Sequence, residues 1–334
     1  MTSEPHSVHV LLASYNGAEH LPLQLESIRA QTDHRWRLLV RDDGSSDQTG
    51  MVLERFAVRE KRMEILRDAE RQLGAAGNFA RLATAALDRG ARYVMFADQD
   101  DVWFPDKIER TLKLMERSER EQGPETPVLI HSDLEVIDER GRLLHPSFMR
   151  LQRINHRLQP SSNALRTLLV QNVVTGCTAM ANRALLFVAL PMPEVTLMHD
   201  WWLALCAASW GTVAYVPDAT VGYRRHGTNV MTVRGFWRTM NPLMTNWRQV
   251  WGAGTHGYLQ TVRQAEALLD RLKNRPPASD AAIRLVQAFV DLHGPGLSGP
   301  SRFRRALALG LRSQTWARTA TLYLRVVRYG QGSG

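Results

Sequence analysis

Short apolar runs alternate with helical stripes through the first half of the chain. Residues 8–13, 35–41, 63–66, 93–97 and 128–131 read as strands, and 21–30, 49–60, 78–88 and 107–120 carry helix formers with apolar positions three and four apart. Ser46 and Asp47 stand where the second helix needs a cap. Strand and helix in turn predict an α/β fold, with a mostly parallel sheet and helices on both faces. Beyond residue 131 the pattern loosens. It resumes with the run 173–178, a helix over 184–190, a helix opened by Asp200, and two short strands at 212–216 and 220–224. From about residue 231 only amphipathic helical sequence follows, broken by Pro276-Pro277 and by a Gly/Pro/Ser stretch at 294–300. The expected organisation is an α/β domain over 1–230 and a basic helical region over 231–334.

In such a sheet, ligands bind outside the carboxyl ends of the strands, and the polar residues collect there. Ser14, Tyr15, Asn16 and Gly17 follow the first strand. Asp42, Asp43, Gly44, Ser45, Ser46 and Asp47 follow the second. Asp98, Gln99, Asp100 and Asp101 follow the fourth. Asn16-Gly17 and Asp43-Gly44 are each ordinary turn dipeptides; their shared edge is what predicts one cleft. Three carboxylates within four positions raise one another's pKa unless a cation neutralises them. Hard oxygen ligands suit Mg²⁺ or Mn²⁺, ions that take their remaining ligands from water and phosphates, so a diphosphate substrate is expected. Asp101 and Asp106 also stand near the start of the helix at 107–120, where an acid can cap it or pair with Lys107.

Composition narrows the partners. The apolar fraction of 44% supplies a packed core, and no apolar window approaches the length needed to cross a bilayer. The N-terminus has no basic and apolar leader pattern, so a cytosolic protein is expected. Cys177 and Cys206 lie in apolar settings without paired spacing and read as buried free thiols. The net charge of +9 is concentrated at the C-terminus, where residues 301–334 hold seven Arg and no Asp or Glu. That distribution, without basic and aromatic residues interleaved on a recognition element, argues against nucleic acid. Trp316, Ala320, Tyr323 and Val327 form a helical stripe with Arg318 and Arg325 opposite. Such a helix either lies on an anionic membrane surface or packs on the main domain with its Arg heads in solvent. Trp103, Trp201 and Trp202 read as core in preference to a floor for a sugar.

The series Ser14-Tyr15-Asn16, Asp42 to Asp47, Asp98 to Trp103 and His199-Asp200 resembles the family 2 inverting glycosyltransferases of the GT-A fold, over about the first 230 residues. Within them it is most similar to bacterial enzymes of O-antigen and exopolysaccharide synthesis, many of them rhamnosyltransferases. The resemblance implies that Tyr15 packs on the nucleotide base, that Asp43 accepts from the pyrimidine, and that Asp42 helps or braces its loop. It further implies that Asp98 and Gln99 face ribose, metal or donor sugar, that Asp100 with Asp98 holds the metal, and that Asn78 closes the donor pocket. Asp200 matches the catalytic base, and capping its helix is compatible with that role. His226 matches a late metal or diphosphate ligand, with Arg224 and Arg225 adding charge for the pyrophosphate. The implied donor is a nucleoside diphosphate sugar, with rhamnose leading. The implied acceptor is a saccharide carried on a polyprenyl diphosphate at the inner face of the membrane. A metal-dependent hydrolase or nucleotidyltransferase, and a non-enzymatic polyanion binder, are the rival classes.

Overall fold

The structure, a computed structural model, describes residues 8–154, 161–225, 247–275 and 279–329. Among them nine strands form one sheet: β1 (Val8–Ser14), β2 (Trp36–Asp42), β3 (Met63–Ile65), β4 (Tyr93–Asp98), β5 (Val102–Trp103), β6 (Val128–Ile137), β7 (Leu143–His145), β8 (Met180–Asn182) and β9 (Thr212–Arg224). The helices are α1 (Leu21–Arg29), α2 (Thr49–Arg59), α3 (Gly74–Asp88), α4 (Lys107–Gln122), α5 (Phe148–Gln152), α6 (Ser161–Leu168), α7 (Arg183–Ala189), α8 (His199–Trp210), α9 (Trp247–Asn274), α10 (Asp280–Leu292), α11 (Gly299–Ala308) and α12 (Trp316–Arg328).

The strand order is β3-β2-β1-β4-β8-β6-β9-β5, with β7 paired to β6. The first four of these are parallel, whereas β8 runs antiparallel to both β4 and β6, and β5 is antiparallel to β9. Side chains of successive strand residues point to opposite faces, and β1 feeds two cores accordingly. Val10 and Leu12 pack with Leu25 of α1, Leu53 of α2 and Ile108 of α4. Leu11 joins Phe79 of α3, Trp202 of α8, and Leu268, Phe289 and Val326 of the C-terminal helices. The C-terminal helices are thus built onto one face of the sheet. No helix among the described residues is long and apolar enough to cross a membrane.

The structure departs from the sequence reading in four places. The strand expected to end at His131 continues to Ile137. The two strands expected at 212–216 and 220–224 are one, β9, whose register jumps from Ser132 opposite Val216 to Asp133 opposite Ala219. Pro217 has no N–H for the ladder, so it and Asp218 bulge out while the pairing continues. The helix expected from Asn78 begins at Gly74. On α12 the buried residues are Leu322 and Val326, while Trp316 is 85% exposed and Leu324 49%. Arg318 is therefore half-buried, donating to the Gln152 carbonyl (3.3 Å) and Oε1 (3.1 Å), and burial lowers the pKa of Arg325. Of the two faces α12 could have presented, packing chose the one that fits the core.

Candidate active site

Moving out from β1, the chain builds β2 and β3 on one side and then β4 on the other. The strand order reverses between β1 and β4, the place where a parallel sheet leaves a crevice at its carboxyl ends. Gln99, just past β4, closes the floor of this crevice. Its Oε1 accepts from Ser14 Oγ (2.9 Å) and the Tyr15 N–H (2.8 Å), and its Nε2 donates to the Tyr15 carbonyl (2.9 Å). Only glycine fits beside it, because a Cβ on Gly17 would collide with the Gln99 amide. The Tyr15 backbone is held on both sides, while its ring, half exposed, is presented to the crevice.

The loop after β2 is cross-tied to the loop after β1. Asn16, at φ 49°, accepts from the Ser46 N–H (2.8 Å), Thr49 Oγ1 accepts from the Gly17 N–H (2.8 Å), and Asp47 accepts from Ala18 (3.1 Å) and Thr49 (2.9 Å). Asp47 therefore serves the start of α2 as expected, and Ser46 does not cap it. Asp42 braces the loop by accepting from the Ser45 N–H at 3.3 Å. Asp43 is 3% exposed; it accepts from the Leu73 (3.0 Å) and Gly74 (2.9 Å) N–H groups at the start of α3 and from Arg41 Nη1 (2.8 Å). Arg41, buried, places its five donors on Asp43, Asn78 Oδ1 (3.2 Å), the Glu70 carbonyl (2.8 Å) and, twice, Asp68 (3.0 Å each). Burial works against the Arg41 charge, and Asp68 and Asp43 more than offset it, so its pKa is raised; that of Asp68 is lowered. Asn78 is 2% exposed, and its Nδ2 donates to the Arg41 carbonyl (3.3 Å).

Charge is handled differently after β4. Ligand atoms of Asp98, Asp101 and Cys177 lie within 4.8 Å of one another. Burial, then Asp100 and Asp200, push the Asp98 carboxyl up to about 7. Asp101 is pushed well up by burial, Asp100 and Asp98, against a hydrogen bond from the Cys177 side chain, and its Oδ1 accepts from the Arg224 N–H (3.2 Å). Asp101 does not cap α4, whose N-cap is Asp106. Lys107 lies beneath, donating to the Cys177 carbonyl (2.9 Å) and 4.6 Å over the Trp103 ring. Burial lowers its pKa to about 8 against the pull of Cys177 and Asp101. One ammonium leaves this acid cluster short of positive charge, and carboxylate oxygens this close together fit a hard divalent cation. The Cys177 thiol is pushed well up by burial, Asp101 and Asp98, and a hard cation prefers the carboxylate oxygens to its soft sulfur.

Asp200 lies in the first turn of α8, 6% exposed. Its Oδ1 accepts from Asn172 Nδ2 (3.0 Å) and the Trp201 N–H (2.6 Å). Burial pushes its carboxyl up to about 6, while the Trp201 and Gly176 N–H groups and Asn172 pull the other way. A Cβ on Gly176 would lie 3.4 Å from Asp200 Oδ2 and 2.7 Å from His199 Nε2. His199 stacks 4.0 Å from the Phe79 ring, and burial lowers its pKa to about 3, so it is neutral.

The expected residues thus fall in two groups. Tyr15, Asp42, Asp43, Asn78 and Gln99 belong to the β1–β2 side; on the β4 side Asp100 and Asp200 both raise the pKa of Asp98. Arg224 corrects the sequence reading. It is 2% exposed and donates to the Asp100 (2.9 Å), Asp138 (3.3 Å) and Glu139 (2.8 Å) carbonyls, so its charge serves the backbone. Arg225 is exposed, and His226 lies outside the described residues. Trp103 and Trp202 are core as expected, as are the free thiols Cys177 and Cys206. Sequence reasoning missed Arg41, Asp68, Asn172 and Cys177. Only Arg41 carried a signal, as a charged residue inside an apolar strand.

Known proteins resemble this chain in sequence and in fold. The chain is 28% identical to an uncharacterised protein of Mycobacterium tuberculosis over 304 residues, 90% of this chain and 78% of the relative. It is 35% identical over 120 residues to the putative teichuronic acid biosynthesis glycosyltransferase TuaG of Bacillus subtilis, 35% of this chain and 46% of TuaG. It is 33% identical over 102 residues to the dTDP-rhamnosyl transferase RfbG of Shigella flexneri, 30% and 35% of the two chains. Among solved structures, S. aureus TarS 1-349 in complex with UDP superposes with a TM-score of 0.54 at 14% identity, over 89% of this chain and 74% of that one. The mannosyltransferase PcManGT of Pyrobaculum calidifontis, solved with GDP-Man and Mn2+, gives 0.50 at 18% identity, over 95% and 78%. These likenesses show the GT-A fold, and the model for glycosyl transferase family 2 matches residues 9–183: the chain is a glycosyltransferase belonging to that family.

Proposed function

We propose that the enzyme transfers a sugar, with inversion, from a nucleoside diphosphate sugar to a growing bacterial surface glycan carried on a polyprenyl diphosphate. Rhamnose from a thymidine diphosphate donor is the leading donor sugar. The stretch shared with RfbG supports it, as the similarity to the UDP-Glc:alpha-D-GlcNAc-diphosphoundecaprenol beta-1,3-glucosyltransferase WfgD of Escherichia coli, 34% over 112 residues, supports the acceptor. WfgD matches 34% of this chain and 42% of its own length. Tyr15 stacks on the base, Asp43 receives it from its fixed place beside Arg41, and Asp42, Asn78 and Gln99 keep that wall in shape. Asp98 and Asp100, with His226 as the expected late ligand, hold Mg²⁺ or Mn²⁺, which when bound offsets charge on the departing diphosphate. The work is placed in the cytosol, against the membrane's inner face.

Asp200 takes the proton of the acceptor hydroxyl as that oxygen attacks the anomeric carbon. The bond from that carbon to the diphosphate breaks on the opposite side, and the nucleoside diphosphate leaves. One base is sufficient for a single displacement, unlike glycoside hydrolysis with its two flanking carboxylates. The observation that carries this reading is the state of Asp200: buried, pushed up to about 6, and fixed through one oxygen by Asn172 and the Trp201 N–H. A base of that strength still ionises at neutral pH. Asp200→Asn should cut transfer by about 10³ and leave donor binding by calorimetry unchanged with Mn²⁺ present. A variant that transfers at the wild-type rate removes Asp200 from the reaction.

A further inference from the structure

Helices α11 and α12 form an antiparallel pair. A Cβ on Gly299, at the start of α11, would sit 2.9 Å from Val327 near the end of α12, and the Phe303 and Tyr323 rings meet at 5.3 Å. The pair is anchored from beneath. Leu322, Val326 and Ala306 are buried, the Tyr323 hydroxyl donates to the Leu311 carbonyl (2.8 Å), and Arg166 Nε donates to the Leu309 carbonyl (3.0 Å). Its outer side has no such purpose in the fold. Trp316, Ala320 and Leu324 recur every four residues along α12, all exposed, and Leu307 of α11 is 51% exposed. Arg304 and Arg305 of α11 and Arg312 of the turn between the helices are exposed as well, and the sequence from 301 to 334 contains no acid.

We propose that this outer side seats the enzyme on an anionic lipid surface, with Trp316 and Leu324 entering the headgroup boundary and Arg304, Arg305 and Arg312 meeting lipid phosphates. An indole with aliphatic neighbours on one helical row, on a helix pair whose exposed charges are all arginines, has the chemistry of an interfacial helix. A protein surface of mixed charge would set like charge against some of these arginines; an anionic leaflet matches all of them. The seat also bears on the active site. The turn joining the two helices is tied to Gln171, whose Oε1 accepts from the Gln314 N–H (3.1 Å) and Ser313 Oγ. The next residue, Asn172, donates to Asp200. The turn of the pair is thus hydrogen-bonded to the residue next in sequence to the one that holds the base; that a lipid-linked acceptor arrives on this side rests on the acceptor proposed above.

Flotation of the full chain with phosphatidylcholine vesicles, with and without phosphatidylglycerol, tests the seat. Wild type should float only with phosphatidylglycerol, and salt should release it. Arg304→Glu/Arg305→Glu/Arg312→Glu should weaken partition by at least roughly five-fold per arginine, and Trp316→Ser/Leu324→Ser by tenfold or more. Donor binding should be unchanged in both variants, which also reports that they fold. Equal flotation of wild type and variants overturns the proposal. So does equal flotation with neutral vesicles, or a wild-type dimer that Trp316→Ser dissociates while vesicles recruit nothing. Wild type that floats as expected but transfers no sugar to a diphosphate-linked lipid saccharide leaves the seat standing and removes the acceptor. Transfer to that lipid without recruitment removes the seat alone.

Discussion

At the β2 edge of the crevice, Arg41 spends all five of its donors on two carboxylates, an amide and a carbonyl, and Asp43 takes three N–H donors in return. Across β1 and β4, Asp98 is pushed up to about 7 and Asp101 well above its ordinary value by burial and the acids beside it. One wall carries its own counter-charges and keeps its shape without ligand. The other gathers like charges that raise one another's pKa, and under the function proposed above a cation would complete it. The contrast fits a division of labour in which the nucleoside meets a finished surface and the diphosphate brings its cation to an unfinished one.

The largest test of that contrast removes one charge from each wall. Arg41→Leu leaves Asp43 and Asp68 without their partner and should cost about 3–5 kcal/mol of stability in urea unfolding, as breaking a buried ion pair does. Asp98→Asn on the other wall removes a repulsion, so in metal-free buffer at pH 8 it should leave stability equal or higher. The same change should abolish Mn²⁺-dependent donor binding. If both variants lost stability equally, the two walls would not differ in kind.

A smaller effect follows from Asp200. Its raised pKa means that the carboxylate is full above about pH 7 and is lost as pH falls through about 6. With Mn²⁺ and donor saturating, kcat should therefore drop about tenfold for each pH unit below that point. Asn172→Ala removes an N–H that favours the charged form, so it should move the acid limb upward. A limb that stays in place would mean that Asn172 does not hold the base.

The loops of the self-contained wall were legible in the sequence, because their turn chemistry is local, whereas Arg41 and Asp68, which tie the wall together, were not. The strands β1, β2 and β4 and the helices α1, α2 and α4 follow from period alone, and Asn16, Asp47 and Thr49 lie in two short loops whose turn chemistry is visible. The unfinished wall was legible only by its acids. Cys177, Lys107 and Asn172 reach Asp98, Asp101 and Asp200 through pairings far apart in the chain, such as Lys107 to the Cys177 carbonyl. The two residues of β5 are too few to show a period, yet they fix Trp103 and turn the acidic segment back into the sheet. Pro217 concealed the continuity of β9, and α12 offered two apolar rows between which only packing decides.

The smallest of these effects probes the seam between the walls. Gly17 has no Cβ, and its neighbour Gln99 fills that space while joining Ser14 and Tyr15 to the end of β4. Gly17→Ala forces the Gln99 amide aside, and each hydrogen bond it loses is worth about 0.5–1.5 kcal/mol. The finished wall should then lose its alignment with the metal wall, raising donor KM several-fold with a smaller change in kcat. Gln99→Ser in the same chain removes the group that is struck. If the collision is the cause, the double variant should be no worse than Gln99→Ser alone, a non-additivity expected only of residues in contact. Additive losses would place the defect of Gly17→Ala in the turn at Asn16 instead, and the seam would not couple the two walls.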